Sequence, residues 1–308
     1  MTRYLSRRAV ELVIVFLGVT LIVFLMVFAL PGDPIAALGG DRPLPANVIA
    51  ELRGRYHLDE PVLQQYLRYL GGLFTGDLGT TFQGQSVADR MSSRWPVTIT
   101  LALTAWGIEV VLGVLLGLFA GLRKGRFGDR LVLAGTILAT SVPVFVVAVT
   151  AQLVLGVRLG WFPVAGTADG WPTGYLLPAT VVAIFGLASV TRLMRGSVID
   201  TLNSDFVRTL RAKGLRERRV VGVHVMRNSA LPVMTYLAID LGYLLGGTVV
   251  VEGVFNLPGV GQLLFQAIRT HEGPTVVGVS TALILIFLLT NLVVDLLSSV
   301  LDPRIRHE

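Results

Sequence analysis

The stretch Ser204–Asn228 reads SDFVRTLRAKGLRERRVVGVHVMRN, a dense run of positive charge inside an otherwise apolar chain. It is too polar to cross a membrane and too well patterned to be a tether. Ser204 or Asp205 suits the cap of a helix. Phe206, Val207 and Leu210 then fall on one side at helical spacing, with Arg208 and Arg211 opposite. Gly214 stands where a left-handed C-terminal cap is wanted. From Leu215 a second helical stretch follows, its apolar stripe formed by Val220, Val221, His224 and Val225 against Arg218, Arg219 and Arg227. Asn228 is placed to cap the start of the next apolar run, and Pro232 falls in its first turns, where a missing N–H is tolerated. Anionic headgroups would attract the charge at ~1 kcal/mol per Lys or Arg. They would explain neither an apolar face outside the membrane nor a Gly between two helices. A groove on a partner protein explains both.

On either side of this loop the chain is built for lipid. Its 308 residues are 53% hydrophobic and 15% charged, and the mean hydropathy is +0.70. Soluble domains carry roughly 25% charge, so a pair of water-soluble domains is excluded. Apolar runs near 11–30, 97–120, 131–157, 175–194, 230–251 and 276–300 are each long enough to span hydrocarbon, which needs ~20 residues. About six transmembrane helices are therefore expected, in an all-α polytopic protein. A weaker run, Val254–Ile268, is broken by Pro258, Gly259 and Gly261 and reads as an interfacial or re-entrant piece. The first run follows Arg3, Arg7 and Arg8; its length favours an uncleaved anchor over a cleaved signal peptide. With that end inside, Arg123, Lys124, Arg126 and Arg130, the nine Lys and Arg between Arg192 and Arg227, and Arg304 with Arg306 all fall inside. Both termini are expected in the cytoplasm by the positive-inside rule. Cys is absent, which removes disulfides and Cys-based metal sites, and no metal site or catalytic residue is expected.

The chain divides on this reading into a cytoplasmic N-terminus with the first span (1–30), an external helical subdomain (31–96), a five-helix membrane core (97–301) holding the basic loop 197–228, and a short cytoplasmic tail (302–308). The external segment carries two amphipathic helices, Asn47–Tyr56 and Glu60–Phe74, the second with Leu63, Tyr66, Leu67, Leu70 and Phe74 in step. It is suited either to contacting a soluble partner or to resting on headgroups.

Glu109, Asp240, Glu252 and Asp295 lie at or near membrane depth. An ionisable group there costs several kcal/mol unless it faces a cavity or a partner. Asp240, with Tyr243, Glu109 and Asp295, forms the candidate set for a translocation pathway; packing inside the bundle is the competing reading. Glu252, close to the boundary, fits packing better. Gly113, Gly117 and Gly121, and again Gly242 and Gly246, repeat at four-residue spacing, which brings helices close, within the chain or against a second subunit. Pro143 is expected to bend the third span.

At this point the basic loop resembles the coupling loop of ABC-importer permeases, whose general pattern is Glu-Ala-Ala, three residues, Gly. Arg208-Thr209-Leu210 takes the first position and Gly214 the last. The peptide-importer branch reads R-T-A-R-A-K-G-L, then E-R-R, then H-A-L-R-N; this chain has R-T-L-R-A-K-G-L-R-E-R-R and H-V-M-R-N, with Leu210 in place of the usual Ala. Leu30-Pro-Gly-Asp-Pro34, Gly76-Asp-Leu-Gly-Thr-Thr-Phe82, Gly160-Trp-Phe-Pro163, Val251-Glu-Gly-Val-Phe255 with Pro258-Gly259, and Asp302-Pro-Arg-Ile-Arg306 extend the similarity over nearly the whole chain. The match is to the first, B-type permease subunit of the dipeptide/oligopeptide family. That resemblance implies a type I ABC-importer permease fold in a bacterial plasma membrane and half of a translocation pathway. It implies a second homologous permease subunit, two P-loop ATPases or one fused ATPase, and an extracytoplasmic substrate-binding protein, besides membrane lipid and without nucleic acid. Phe206, Leu210, Arg211, Ala212, Lys213 and Gly214 would dock on an ATPase. The chain has no G-x-x-x-x-G-K-[ST], so ATP and Mg would belong to the partners and no cofactor to this chain. Glutathione and nickel chelates are alternative cargoes within the branch. An intramembrane hydrolase lacks its G-x-S-x-G or H-E-x-x-H here, and an ATP-independent carrier would leave the stiff loop unexplained.

Overall fold

The computed structural model describes residues 2–28, 35 and 45–301. The Leu30–Pro34 and Asp302–Arg306 motifs lie outside the described residues. The helices are α1 (Thr2–Phe28), α2 (Ala46–Arg55), α3 (Val62–Leu73), α4 (Val87–Ser92), α5 (Trp95–Leu122), α6 (Phe127–Ser141), α7 (Val144–Arg158), α8 (Thr173–Leu202), α9 (Asp205–Ala212), α10 (Met226–Gly247), α11 (Val249–Val254), α12 (Val260–Arg269) and α13 (Gly273–Leu301). Among the described residues the sole pairing of extended backbone is one bridge, Thr80 to Ser86. Five helical stretches, Val10–Phe28, Trp95–Leu122, Thr173–Leu202, Glu217–Val254 and Gly273–Val294, are long and apolar enough to cross a membrane, and α6 with α7 make a sixth if the bent pair counts as one span.

That pair carries the bend expected at Pro143, and the bend is large, 100°. Proline disfavours a helical residue before it; Val142 accordingly turns extended, at φ −103° and ψ 129°. Each arm is about 22 Å long at 1.5 Å per residue, short of a ~30 Å hydrocarbon core, so residues 131–157 do not form one straight crossing.

The chain forms two compact units. One holds α1, residues 45–98 and residues 245–293; the other holds residues 99–244 and the end of α13. The helices of the segment expected outside the membrane thus share a unit with α1 and with α11–α13. In that unit Val87 and Met91 of α4 pack with Val260 and Leu263 of α12 and with Val279 and Leu283 of α13. Phe24 of α1, Tyr66 of α3 and Val277 of α13 form a second cluster.

The other unit is organised by α5 against α8. A Cβ at Gly117 would lie 2.6 Å from the Met194 Cβ and 2.7 Å from the Thr191 carbonyl oxygen, and Gly113 and Gly121 meet Val190 and Val198 in the same way. The four-residue glycine stripe of α5 therefore receives a four-residue ridge of α8, a contact inside this chain. Gly246 of α10 meets nothing within 4 Å. Val190, Met194 and Val198 continue into a core with Val207, Val220, Val225, Val233 and Leu237.

Asn228 does not begin a helix. Glu217–Arg219 runs through a π-helical turn, Val220–Val225, straight into α10, and the Asn228 side-chain amide donates to the His224 carbonyl at 2.8 Å. The wider π turn shifts register, and Val220 and Val225 share one core with Val233 and Leu237.

Candidate functional site

The basic loop contains the short helix α9, and its termination follows from Gly214. Gly214 sits at φ +75°, the left-handed region that side chains with a Cβ disfavour. Its N–H donates to the Arg211 carbonyl at 2.9 Å, and the Leu215 N–H donates to the Leu210 carbonyl at 3.3 Å. These two bonds make a Schellman cap, and Leu210 and Leu215 each pack against the unit's core. At the other end Ser204 occupies the cap position without bonding a helix N–H; its hydroxyl donates to the Thr201 carbonyl at 2.5 Å. Asp205 instead pairs with Arg208 at 3.2 Å. Arg211 reaches across the turn to Glu217 through two hydrogen bonds of 2.7 and 3.1 Å, and that carboxylate holds its guanidinium above the usual value.

The sequence placed Phe206, Val207 and Leu210 on one face for a partner. The structure divides them. Val207 is fully buried and Leu210 half-buried in this chain's own core, so Leu210 anchors the helix rather than presenting it. Phe206 stays 40% exposed, and Arg211, Ala212, Lys213 and Gly214 are exposed. Arg208, expected opposite the apolar side, is exposed on the outward face, and Thr209, not singled out from sequence beyond its place in the motif, shares it. Spacing alone does not make this division, because Phe206 and Val207, four and three residues before Leu210, both lie on its side of the helix.

A second feature lies in the same unit. Glu109 opens a π-helical turn in α5, Glu109–Gly113, and is 0% exposed. Its electrostatic neighbour is Asp240 of α10. Gly186 of α8 supplies the space, because a Cβ there would overlap the Glu109 carboxyl. The Tyr236 hydroxyl donates to Asp240 Oδ1 at a long 3.5 Å, and Trp106 Nε1 ties the same two helices by donating to the Leu237 carbonyl at 2.9 Å. Both Glu109 carboxyl oxygens and Asp240 Oδ2 lack a hydrogen-bond partner among the described residues. Burying such groups ionised and unpaired is expensive; two facing carboxyls relieve the cost by holding a proton between them or by admitting positive charge. Glu109 and Asp240 are thus brought together. Tyr243, 62% exposed, is not part of the pair, and the side chain of Asp295 lies outside the described residues. Gly186 and Tyr236 were missed because neither carries a charge or a motif.

Glu252 has a packing role in the other unit. Its Oε2 accepts the Gln262 N–H at 3.0 Å, its Oε1 accepts the Thr248 hydroxyl at 2.8 Å, and Thr98 Oγ1 accepts the Val260 N–H at 2.8 Å. Together they cap the start of α12, where a carboxylate complements the helix dipole. Side chains at Gly259 or Gly261 would collide with this cap, which accounts for the Val251–Phe255 and Pro258-Gly259 motifs as one folded turn.

Comparison with known proteins agrees with this architecture along the whole chain. Residues 113–307 match the model of the binding-protein-dependent transport system inner membrane component, and residues 1–102 match its N-terminal membrane component. A protein of Brucella abortus (strain 2308) with the provisional name of peptide transport system permease is 36% identical over 315 residues, covering 100% of both chains. The oligopeptide transport system permease protein OppB of Haemophilus influenzae is 36% identical over 310 residues, and the glutathione transport system permease protein GsiC of Escherichia coli (strain K12) 36% over 309, each again with complete coverage of both chains. The chain belongs to the family of binding-protein-dependent transport system inner membrane components.

Proposed function

We propose that this chain is one permease subunit of an ATP-driven ABC importer and forms half of the pathway by which dipeptides or oligopeptides cross a bacterial plasma membrane. A second homologous permease completes the pathway, a substrate-binding protein delivers cargo from outside, and two P-loop ATPases, or one fused ATPase, work on the cytoplasmic side. Both termini then lie in the cytoplasm. The observation that carries this reading is the helix α9: it is capped at Gly214, basic on its outward face, and packed through Val207 and Leu210 on the core formed by α8 and α10. A partner that moves α9 moves those spans as a rigid body. Phe206, Thr209, Ala212 and Lys213 are the contact residues, while Leu210 and Arg211 hold the helix in place.

The Glu109–Asp240 pair gives the pathway a place that accepts positive charge, which every zwitterionic peptide carries at its amino terminus. Glutathione carries one too, and the similarity to a glutathione permease at the same 36% identity makes it the second reading. Proteoliposomes of the complete complex, offered labelled dipeptide, pentapeptide and glutathione with ATP inside, decide between them. Uptake of a peptide supports the first reading, uptake of glutathione alone the second, and ATP-independent uptake of any of them removes both.

A further inference from the structure

Helix α3 has three faces, and only two are accounted for by the fold. Tyr66 and Tyr69 turn toward α1: the Tyr66 hydroxyl donates to the Leu17 carbonyl at 3.0 Å and shares a 3.0 Å hydrogen bond with the Thr20 hydroxyl, and the Phe24 ring lies 5.5 and 5.8 Å from Tyr66 and Tyr69. Gln64, Arg68 and Gly71 form a polar face, where Arg68 bridges to Glu60 at 2.8 Å. Between them runs a stripe of Leu63, Leu67 and Phe74, which are 64%, 57% and 93% exposed. One face is spent on protein and one on water. The third is large, apolar and uncovered in this chain.

Depth identifies what covers it. Leu17 lies about 16 Å below Phe28, at 1.5 Å per residue, and that is half of a ~30 Å hydrocarbon core. A tyrosine on a helix resting above the headgroups would have to cross much of one leaflet to make this bond. Around this contact α1 is apolar and exposed, at Leu17 itself and, on the faces turned away from α3, at Ile22, Leu25 and Met26, so α3 packs on a helix whose free surface borders acyl chains.

We propose that α3 is immersed in the leaflet around the Phe28 end of α1, with Leu63, Leu67 and Phe74 against lipid acyl chains and Gln64 and Arg68 at the headgroup level. Amphipathic helices settle in this way when an apolar face and a polar edge coexist. The segment between the first two spans is then a membrane-embedded shoulder of α1, and its free apolar face is occupied by lipid rather than by a soluble partner. This does not depend on the cargo or on the motor.

The native chain has no Cys, so single nitroxide labels at Leu67→Cys and Phe74→Cys report cleanly, with Gln64→Cys and Ile22→Cys as references for the polar face and the lipid face of α1. The full chain, with the subunits it retains, is placed in phosphatidylethanolamine–phosphatidylglycerol vesicles, and collision with oxygen and with a water-soluble nickel chelate is measured. The ratio of oxygen to nickel collisions at 67 and 74 is expected to match that at 22 and to exceed that at 64 several-fold. Free access of the nickel chelate to 67 and 74 would overturn the proposal in favour of a water-side cap. Immobilised labels shielded from both reagents would overturn it in favour of a protein partner on the stripe.

Discussion

Arg195 of α8 grips Asp129 of α6 through two hydrogen bonds, Nε to Oδ1 at 2.5 Å and Nη2 to Oδ2 at 2.8 Å. Asp129 also accepts the Gly125 N–H at 2.8 Å. The fork ties the loop before α6 to the helix that leads into α9. Asp129→Asn keeps the shape and loses the charge. It should cost about 1.5–3 kcal/mol, the range for a charge-assisted hydrogen bond, and lower the thermal midpoint of the purified chain. Arg195→Lys keeps the charge but not the planar fork, and its midpoint should fall between those of Asp129→Asn and the wild type. Equal midpoints for all three proteins would show that the fork contributes nothing.

Gly214 separates backbone strain from crowding, because a Cβ there would meet nothing within 4 Å. Any loss on substitution must come from its positive φ, about 1–2 kcal/mol for an ordinary residue. Asn visits this region more readily than a β-branched residue. Gly214→Val is expected to leave the chain inserted but uncouple ATP hydrolysis from uptake, and Gly214→Asn to retain most of the coupling. Measured as peptide transported per ATP hydrolysed, identical behaviour of Val and Asn would refute the cap as the source of stiffness.

The α5 stripe makes the opposite case. Gly117→Ala must push Met194 or the Thr191 backbone aside, an overpacking cost of about 1–3 kcal/mol. Gly107→Ala on the same helix meets nothing within 4 Å and should be neutral or slightly stabilising through helix propensity. Thermal unfolding of the two purified variants checks the contrast, and a Gly117→Ala protein as stable as Gly107→Ala would mean α5 and α8 are not in close contact.

For the carboxyl pair, Asp240→Asn and Glu109→Gln should each reduce uptake without loss of assembly. Gly186→Ala touches no charge, yet its Cβ displaces the Glu109 carboxyl, so it should reproduce the Glu109→Gln defect. Uptake is measured across peptides of different charge. Unchanged uptake in all three variants assigns the pair to packing.

What was legible in the sequence was legible for physical reasons. The apolar runs admit one solvent, and the Gly at 214 follows from a helix that must stop. The spacing of Gly113, Gly117 and Gly121 announces close approach, though only the structure shows that Val190, Met194 and Val198 of this chain fill it. Orientation within α9 was not legible, because Phe206 and Val207 both lie on the Leu210 side of the helix, and only the packing on α8 and α10 decides which of them faces in. The π turns leave no periodic mark, so the run from Glu217 into α10 read as a separate helix with Asn228 as its cap. The meeting of Glu109 with Asp240 depends on how α5, α8 and α10 pack, and on an uncharged Gly186, none of which a single stretch of sequence contains.

Docking of α9 on an ATPase can be read by site-specific photo-crosslinking, independently of transport. A photoreactive amino acid at Thr209 or Ala212, on the outward face, and at Val207, buried in the core, is irradiated in native membranes before purification through a tag. The account predicts a covalent adduct between positions 209 and 212 and a P-loop ATPase subunit, and none from position 207. Absence of any ATPase from the 209 and 212 adducts, with the chain intact and inserted, would contradict it.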